Sequence, residues 1–211
     1  MKEEQKFLNY NFFYWGPYLF KCKFDLKKGQ ELLKKAKKLK TSANSKLAGV
    51  IEKELEFERN DIIWFANSCQ NIFQAYLESS YNWYGRKIAD KLLIKNLWIN
   101  YMKQGEFNPP HTHTEDLSFV IFLKIPENLK IENKKYVGTS GGPGSISFHY
   151  GLDVVDEKRV LNISTNRFFP EEGDMFIFPA TLTHWVYPFK SKGERISVSG
   201  NISLVKLNDN I

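Results

Sequence analysis

Two of the chain's four histidines, His111 and His113, stand one residue apart in the stretch "NPPHTHTEDLSF", directly before a run of apolar residues. In an extended chain, residues i and i+2 point to the same side, so the two imidazoles would project together. Two imidazoles on one face can bind a first-row transition metal, but a third protein ligand has to come from elsewhere. His184 is the candidate for that ligand. The alternative is that the two histidines only hydrogen-bond within a loop.

A second pair of chemically useful residues, Arg195 and Ser197, follows His184 in the alternating stretch "RISVSGN". These two side chains also share one face of an extended strand. A guanidinium fork beside a hydroxyl is a suitable receptor for a carboxylate. A metal with a carboxylate receptor beside it indicates a chelating acid as ligand. The alternative is a surface strand with an ordinary arginine.

The segments that must position these residues are short and extended. From about Leu92 onward, apolar stretches of strand length alternate with Gly, Pro and Asn, and no helical pattern interrupts them. This spacing predicts a closed or double-layered antiparallel fold, a jelly roll or barrel. We expect the strands in "LWINYMKQ", "LSFVIFLKI", "KKYVG", "GSISFHYG", "NISTNRFF", "GDMFIF", "HWVYPF" and "RISVSGNISLV".

The first part of the chain carries helical patterns after an aromatic, extended stretch, "FFYWGPYLFKCKFDL". "LLKKAKKLK" is typical of an amphipathic helix, and Asp61 is expected to cap a single helix whose apolar residues recur at spacings of three and four as far as Ser80. We therefore predict a mainly β protein with flanking N-terminal helices (α+β). Residues 1–95 should pack on the outer face of a β core formed by residues 96–211, as one structural unit.

Composition and charge argue against several other classes. With 211 residues, 42% apolar and 15% aromatic, the chain can bury a sizeable core, and no apolar run approaches the roughly 20 residues of a membrane span. The N-terminus lacks the pattern of a signal peptide, which predicts a cytoplasmic protein. The formal charge of +6 is concentrated in residues 21–40, which carry nine lysines and two acidic residues, so the remaining residues sum to −1. A nucleic acid is therefore not the expected partner.

Taken together, the HxH pair, the distal His184 and the RxS pair resemble the iron(II)- and 2-oxoglutarate-dependent oxygenases, most closely the small bacterial and phage-encoded branch with an HxH pattern. The similarity covers residues 97–201. It implies a double-stranded β-helix (jelly roll, cupin-like) that holds Fe(II) and uses 2-oxoglutarate and O2 to oxidise a substrate C–H bond, as a hydroxylase does. It also implies that Arg195 and Ser197 grip the distal carboxylate of 2-oxoglutarate. Tyr101, or less favourably Asn100, would donate a hydrogen bond to this co-substrate.

The resemblance leaves the substrate open between a protein side chain and a small molecule, and it is compatible with a homodimer. The pattern departs from the family at His113, where most members carry a carboxylate. Three arrangements compete. These are a site of His111, His113 and His184, a shifted pair in which His113 and Glu115 bind the metal, and recruitment of Asp116. The first is preferred, because His111 then stands at the usual first-ligand position.

The same residues also resemble the cupins, in which a glycine precedes an HxH pair by the spacing found between Gly105 and His111. A metal-dependent cupin enzyme is therefore the second enzyme hypothesis, although Arg195 has no role in the cupin pattern. A third hypothesis, from a different class, is a non-catalytic binding module that keeps the barrel. The missing carboxylate at His113 motivates that hypothesis.

Overall fold

The computed structural model describes residues 16–151 and 165–206, which fold around two antiparallel sheets. The larger sheet has six strands in the order β1-β8-β5-β10-β3-β2, and the smaller has four in the order β4-β9-β6-β7. The strands are β1 Phe20–Lys23, β2 Glu54–Glu56, β3 Lys91–Met102, β4 Asn108–His111, β5 Leu117–Lys124, β6 Ile146–His149, β7 Thr165–Phe168, β8 Asp174–Pro179, β9 Thr183–Val186 and β10 Arg195–Val205.

Three of the four α-helices cover the outer face of the six-stranded sheet, where α1 packs on β5 and α2 and α3 pack on β3. The helices are α1 Leu26–Ala36, α2 Arg59–Ser68, α3 Gln70–Tyr84 and α4 Glu127–Lys134, and a short 3-10 helix spans Asn44–Lys46. The prediction of a mainly β protein with N-terminal helices on one outer face is therefore confirmed. None of the helices in the described ranges is long and apolar enough to cross a membrane.

The alternation of side chains along the central strands divides the core in two. On β5, Leu117, Phe119 and Ile121 face the helices, where they join a cluster with residues of α1, α2 and α3. Val120 and Phe122, in alternate positions, face the four-stranded sheet and join a second cluster with aromatic residues of that sheet. Because successive side chains point to opposite faces of a strand, one strand serves both layers.

The N-terminal part of the chain contributes strands as well as helices to this architecture. Strand β1 extends the six-stranded sheet by pairing with β8, and β2 closes the opposite edge by pairing with β3. The boundary that we predicted between residues 1–95 and residues 96–211 falls inside β3. Only part of the extended stretch "FFYWGPYLFKCKFDL" lies within the described residues, and it forms β1 there.

Two details of the predicted secondary structure are wrong. The single helix expected from Asp61 to Ser80 is two helices that meet at Cys69, and Asp61 lies in the first turn rather than at the cap. The break is stabilised because the carbonyl of Ser68 accepts a hydrogen bond of 2.7 Å from Lys28 Nζ, so this carbonyl needs no partner in a continuing helix.

The second error concerns "KKYVG", which is not a strand. A helix, α4, interrupts the β region instead, with Pro126 as its N-cap, Glu127 in its first turn and Lys134 in its last. These charges are of the sign that favours each helix end. Leu129 is the fully buried residue of α4, and it anchors the helix in the core between the sheets.

Candidate metal and co-substrate site

The HxH stretch lies at the edge of the four-stranded sheet. His111 is the last residue of β4 and lies directly opposite His184 of β9 in the strand register. Pro109 and Pro110 lack backbone N–H groups, which an edge strand tolerates. His113 lies in the loop beyond β4, where its backbone N–H donates to the carbonyl of Ala180 at 2.8 Å. That bond holds the loop against the turn between β8 and β9.

This arrangement brings the three histidines together. One ligand atom from each of His111, His113 and His184 lies within 4.8 Å of the others, and the rings of His111 and His184 are 4.2 Å apart between centroids. The Nδ1 atoms of these two rings lie 2.7 Å from the Pro109 carbonyl and 2.9 Å from the Leu182 carbonyl. Since a carbonyl only accepts, each Nδ1 carries the proton and each Nε2 keeps a free lone pair.

Burial keeps the three imidazoles neutral. Burial, and after it the proximity of His111, lowers the pKa of His184 to about 3 and the pKa of His113 to about 4. The pKa of His111 is also lowered, by burial, against the opposing effect of its bond to Pro109. Neutral imidazoles with fixed Nδ1–H groups are the protonation state in which histidine binds a metal.

The two alternative carboxylate ligands point elsewhere. Glu115 accepts a hydrogen bond from the hydroxyl of Ser203 at 2.9 Å, and Asp116 accepts one from the backbone N–H of Leu204 at 2.8 Å. Both contacts tie the loop to the far end of β10. The structure therefore brings His111, His113 and His184 together without a carboxylate from this loop.

Arg195 and Ser197 line the same cavity as the three histidines. Arg195 is 2% exposed, its guanidinium lies 4.6 Å from the ring centre of Phe122, and its Nη1 donates to Met102 Sδ at 3.1 Å. Its Nε is buried without a hydrogen-bond partner. Burial lowers the pKa of Arg195 to about 9, so the side chain remains charged near neutral pH. A buried, unpaired guanidinium of this kind suits a carboxylate ligand.

Of the two residues considered on β3, Asn100 lines the cavity and Tyr101 does not. The Asn100 amide donates to Ser197 Oγ at 3.3 Å and to Ser199 Oγ at 3.4 Å. Tyr101 belongs to the cluster on the helix side of the sheet, where Lys53 Nζ lies 4.3 Å from its ring centre. Our preference for Tyr101 therefore does not agree with its placement. Asn100 is the polar residue in the apolar stretch "LWIN", a signal that could have favoured it.

The cavity residues that the sequence analysis missed include Glu54, Trp98 and Asn108. The ring centre of Trp98 lies 6.0 Å from that of His113. Trp98 could have been found from its i, i+2 relation to Asn100, and Asn108 from its place in the HxH stretch. Glu54 carries no such signal, because the alternation in "EKELE" is typical of a solvent-exposed strand face.

The site thus combines three neutral nitrogen donors with a separate buried cation. The donors suit a divalent first-row metal, and the cation suits the far end of a dicarboxylic co-substrate. The cavity lies between two antiparallel sheets, which is the arrangement of a jelly-roll metalloenzyme.

Comparison with known proteins agrees with this class. A family model described as a 2OG-Fe(II) oxygenase matches residues 96–201, just over half of the 211 residues. The chain belongs to this family, and it is an Fe(II)- and 2-oxoglutarate-dependent dioxygenase with iron, 2-oxoglutarate and O2 as its cofactor and co-substrates. No curated protein sequence matches the chain.

Solved structures share the fold at low sequence identity. The viral collagen prolyl hydroxylase of Paramecium Bursaria Chlorella virus-1, in complex with 2-oxoglutarate, has a TM-score of 0.55 and 17% identity over 89% of this chain and 96% of that one. A Pseudomonas putida prolyl-4-hydroxylase gives 0.53 and 12%, over 90% and 94%. HygX from Streptomyces hygroscopicus, with nickel, 2-oxoglutarate and hygromycin B bound, gives 0.55 and 9%, over 88% and 82%. The predicted double-stranded β-helix is confirmed.

Proposed function

We propose that this dioxygenase is a hydroxylase in which His111, His113 and His184 hold the iron and Arg195 and Ser197 bind the distal carboxylate of 2-oxoglutarate. The observation that supports the proposal best is a cavity that contains three converging imidazole nitrogens and a buried arginine that pairs with no acidic residue of the described ranges. Bound iron would supply the activation of O2 that is coupled to conversion of 2-oxoglutarate to succinate.

The protein's own residues prepare the two ends of the co-substrate site. The carbonyls of Pro109 and Leu182 orient the imidazoles, because each accepts the Nδ1 proton of a metal-binding ring. The hydroxyl of Ser197 is held on the cavity face of β10 by the Asn100 amide. The ring of Phe178 lies 4.7 Å from that of His184, so apolar walls limit the access of water to the metal.

A site of three neutral ligands differs electrostatically from one with a carboxylate, because the metal keeps its full double positive charge. This difference motivates the alternative of a non-catalytic binding module. The cupin alternative has less support, since Arg195 and Ser197 lie inside the cavity and a cupin pattern gives them no role.

The substrate of this chain is proposed to be a protein side chain or a small molecule. Two of the similar structures are prolyl hydroxylases, and the third contains hygromycin B. A groove beside the metal site shares Leu47, Trp98 and His113 with the cavity, and we propose that the substrate enters there. A cytoplasmic location and a homodimer stay predictions of the sequence.

Anaerobic titration tests the proposal directly. Addition of Fe(II) should load one iron per chain, and 2-oxoglutarate should then produce a metal-to-ligand absorption band. Exposure to O2 should release succinate slowly even without the main substrate. If iron binds but neither the band nor succinate appears, the binding-module alternative is correct instead. If no iron binds, the proposed ligand set is wrong.

A further inference from the structure

The cavity contains one charged side chain that the metal and 2-oxoglutarate do not use. Glu54 lies on β2, directly opposite Asn100 of β3 in the strand register, so the two side chains are neighbours on the cavity face. Glu54 is 1% exposed. It comes from outside residues 96–201, the part of the chain that matches the family model, so a peripheral edge strand adds this carboxyl to the shared cavity.

The carboxyl of Glu54 has no partner among the described residues. Its Oε2 is buried without a hydrogen bond, and no lysine, arginine or histidine of the described ranges forms an ion pair with it. Burial and the charge of Glu106 raise its pKa to about 7. The neighbouring Asn100 Oδ1 is also buried without a donor. While Glu54 is ionised, two adjacent acceptors without a donor are costly unless a ligand supplies one.

A rotated Asn100 amide would not remove this requirement. Turning the amide about its terminal bond would offer one N–H to Glu54, because amide oxygen and nitrogen have nearly the same shape. The negative charge would still lack a cation. Arg195 lines the same cavity but forms no ion pair with Glu54, so above the pKa of Glu54, about 7, the cavity holds a separated positive and negative charge.

Glu54, Asn100 and Asn108 line one cavity, and the glycine at position 49 lets the oxygens of Glu54 and Asn108 lie close to the same stretch of backbone. A Cβ at Gly49 would lie 2.8 Å from Glu54 Oε1 and 2.6 Å from Asn108 Oδ1. The oxygens of two side chains therefore face the bare backbone of Gly49, which itself lines the cavity. Three oxygen acceptors, on Glu54, Asn100 and Asn108, surround one part of the site.

We infer that Glu54, with the side-chain oxygens of Asn100 and Asn108, binds an ammonium group of the primary substrate. The inference rests on the proposed function for its link to oxidation. An ammonium group supplies three donors and a positive charge, whereas a neutral hydroxyl or amide would leave the carboxylate charge uncompensated. A carboxylate-bearing substrate would be repelled at this end and would compete with 2-oxoglutarate for Arg195.

Ethylammonium and ethanol are matched probes, because they differ in the charged group. Their binding to the full chain is measured by saturation-transfer NMR at pH 8. We expect ethylammonium to bind the wild type at least tenfold more tightly than ethanol does. Glu54→Gln should weaken ethylammonium binding at least tenfold, whereas Glu56→Gln, on the same strand but paired with Lys46 at 2.8 Å, should change it less than twofold. Equal binding of the two probes, or unchanged binding in Glu54→Gln, would overturn the inference.

A second variant shifts the Glu54 carboxyl and leaves its charge in place. Gly49→Ala should displace the Glu54 carboxyl and weaken ethylammonium binding in the same direction, while its thermal unfolding shows that the chain still folds. If Gly49→Ala binds ethylammonium as the wild type does, the position assigned to the ammonium is wrong.

The iron titration on the wild type separates this inference from the proposed function. If the 2-oxoglutarate band forms but Glu54→Gln binds ethylammonium normally, the ammonium site fails and the hydroxylase proposal stands. If the band is absent but Glu54→Gln still loses ethylammonium, the ammonium site stands without oxygenase chemistry. Succinate release stimulated by a short lysine-containing peptide, or by 1,4-diaminobutane, identifies the source of the ammonium, and either stimulation should be lost in Glu54→Gln.

Discussion

The two faces of the six-stranded sheet are built from alternate residues of the same strands, but they differ in the side chains that they bury. On the helix side, the ring of Phe65 stacks on that of Phe119 at 5.3 Å between centroids, and both side chains are almost fully buried among other apolar groups. On the cavity side, buried atoms of Glu54, Asn100 and Arg195 have no hydrogen-bond partner among the residues that the structure describes. Both faces contribute an apolar cluster to the core, and the cavity face also carries polar groups that a ligand must complete.

This difference shows how one sheet can serve both stability and chemistry. Burial of apolar surface contributes roughly 25 cal/mol per Å2, so the helix side stabilises the strands. The cavity side reduces that stability, because buried polar groups without partners cost free energy. Substitutions of apolar residues on the helix side should therefore lower the free energy of unfolding, whereas substitutions of the polar cavity residues should change the binding of metal or co-substrate.

The largest effect is expected for His113→Ala on the metal side. Loss of one of three imidazoles should abolish iron binding, measured as metal content after anaerobic loading, because two nitrogens alone make a weak site. His149→Ala is the matched control, since His149 lies outside the three-histidine group and contacts Thr165 instead. Glu115→Ala should also keep its iron. Iron loss in Glu115→Ala but not in His113→Ala would favour the shifted ligand pair.

The next largest effect is expected for a substitution on the helix side. Phe65→Ala should lower the free energy of unfolding by about 3–5 kcal/mol in urea titration, the range for removing a buried aromatic ring. The iron stoichiometry of the folded fraction should not change. Ile63→Ala, on the same helix but half exposed, should cost no more than about 1 kcal/mol. Loss of iron binding in the folded fraction of Phe65→Ala would show that the two faces are not independent.

Arg195→Met gives the sharpest contrast between binding and stability. Loss of the guanidinium should weaken 2-oxoglutarate binding by about 1.5–3 kcal/mol, the range for a hydrogen bond to a charged group. The protein without 2-oxoglutarate should be at least as stable as the wild type, because a buried charge with little compensation is replaced by an apolar chain. Arg167→Met, on an exposed position of β7, is the control for both measurements. A large loss of stability in Arg195→Met would contradict the comparison.

The smallest effect is expected at the far rim of the sheet, where Asp174 pairs with Lys21 at 3.0 Å and with Lys23 at 2.7 Å. Burial opposes ionisation of Asp174, but the Glu171 backbone N–H and the two lysines outweigh it, so its pKa is lowered. Because Lys23 is more than half exposed, Asp174→Asn should cost only about 1–2 kcal/mol at pH 7.

The pH dependence of that loss has a definite sign. A carboxyl with a lowered pKa in the folded state stabilises the protein above its unfolded pKa. The difference in unfolding free energy between wild type and Asp174→Asn should therefore be constant at neutral pH and shrink as the pH falls below about 4. A difference that grows in acid would show that Asp174 is protonated in the folded protein.

The strand pattern and the shared faces could be predicted from the sequence because they depend on local alternation. Arg195 and Ser197 lie on one side of β10 and Ile196 and Val198 on the other, as the period of two requires. The pairing of His111 with His184 is not local, and the sequence pattern made His184 only a candidate for the third ligand. The strand register places them opposite each other.

Other features could not be predicted, because distant contacts determine them. The break at Cys69 depends on Lys28, forty residues earlier, which donates to the Ser68 carbonyl. Glu54 is buried only because β2 pairs with β3 at the edge of the cavity. The placement of Asn100 rather than Tyr101 in the cavity depends on the absolute register of β3 against β10, which alternation alone leaves undetermined.

Strand β10 lies between β3 and β5, which do not pair with each other. Until β10 has been synthesised, β3 and β5 therefore each lack a partner on the edge that β10 covers, and such edges attract other chains. Arrival of β10 closes both edges in one event. Arg195 is the first residue of β10. A nascent chain therefore cannot bind 2-oxoglutarate through Arg195 before β10 has completed the six-stranded sheet. Assembly of the fold and the onset of co-substrate binding are therefore coupled in time.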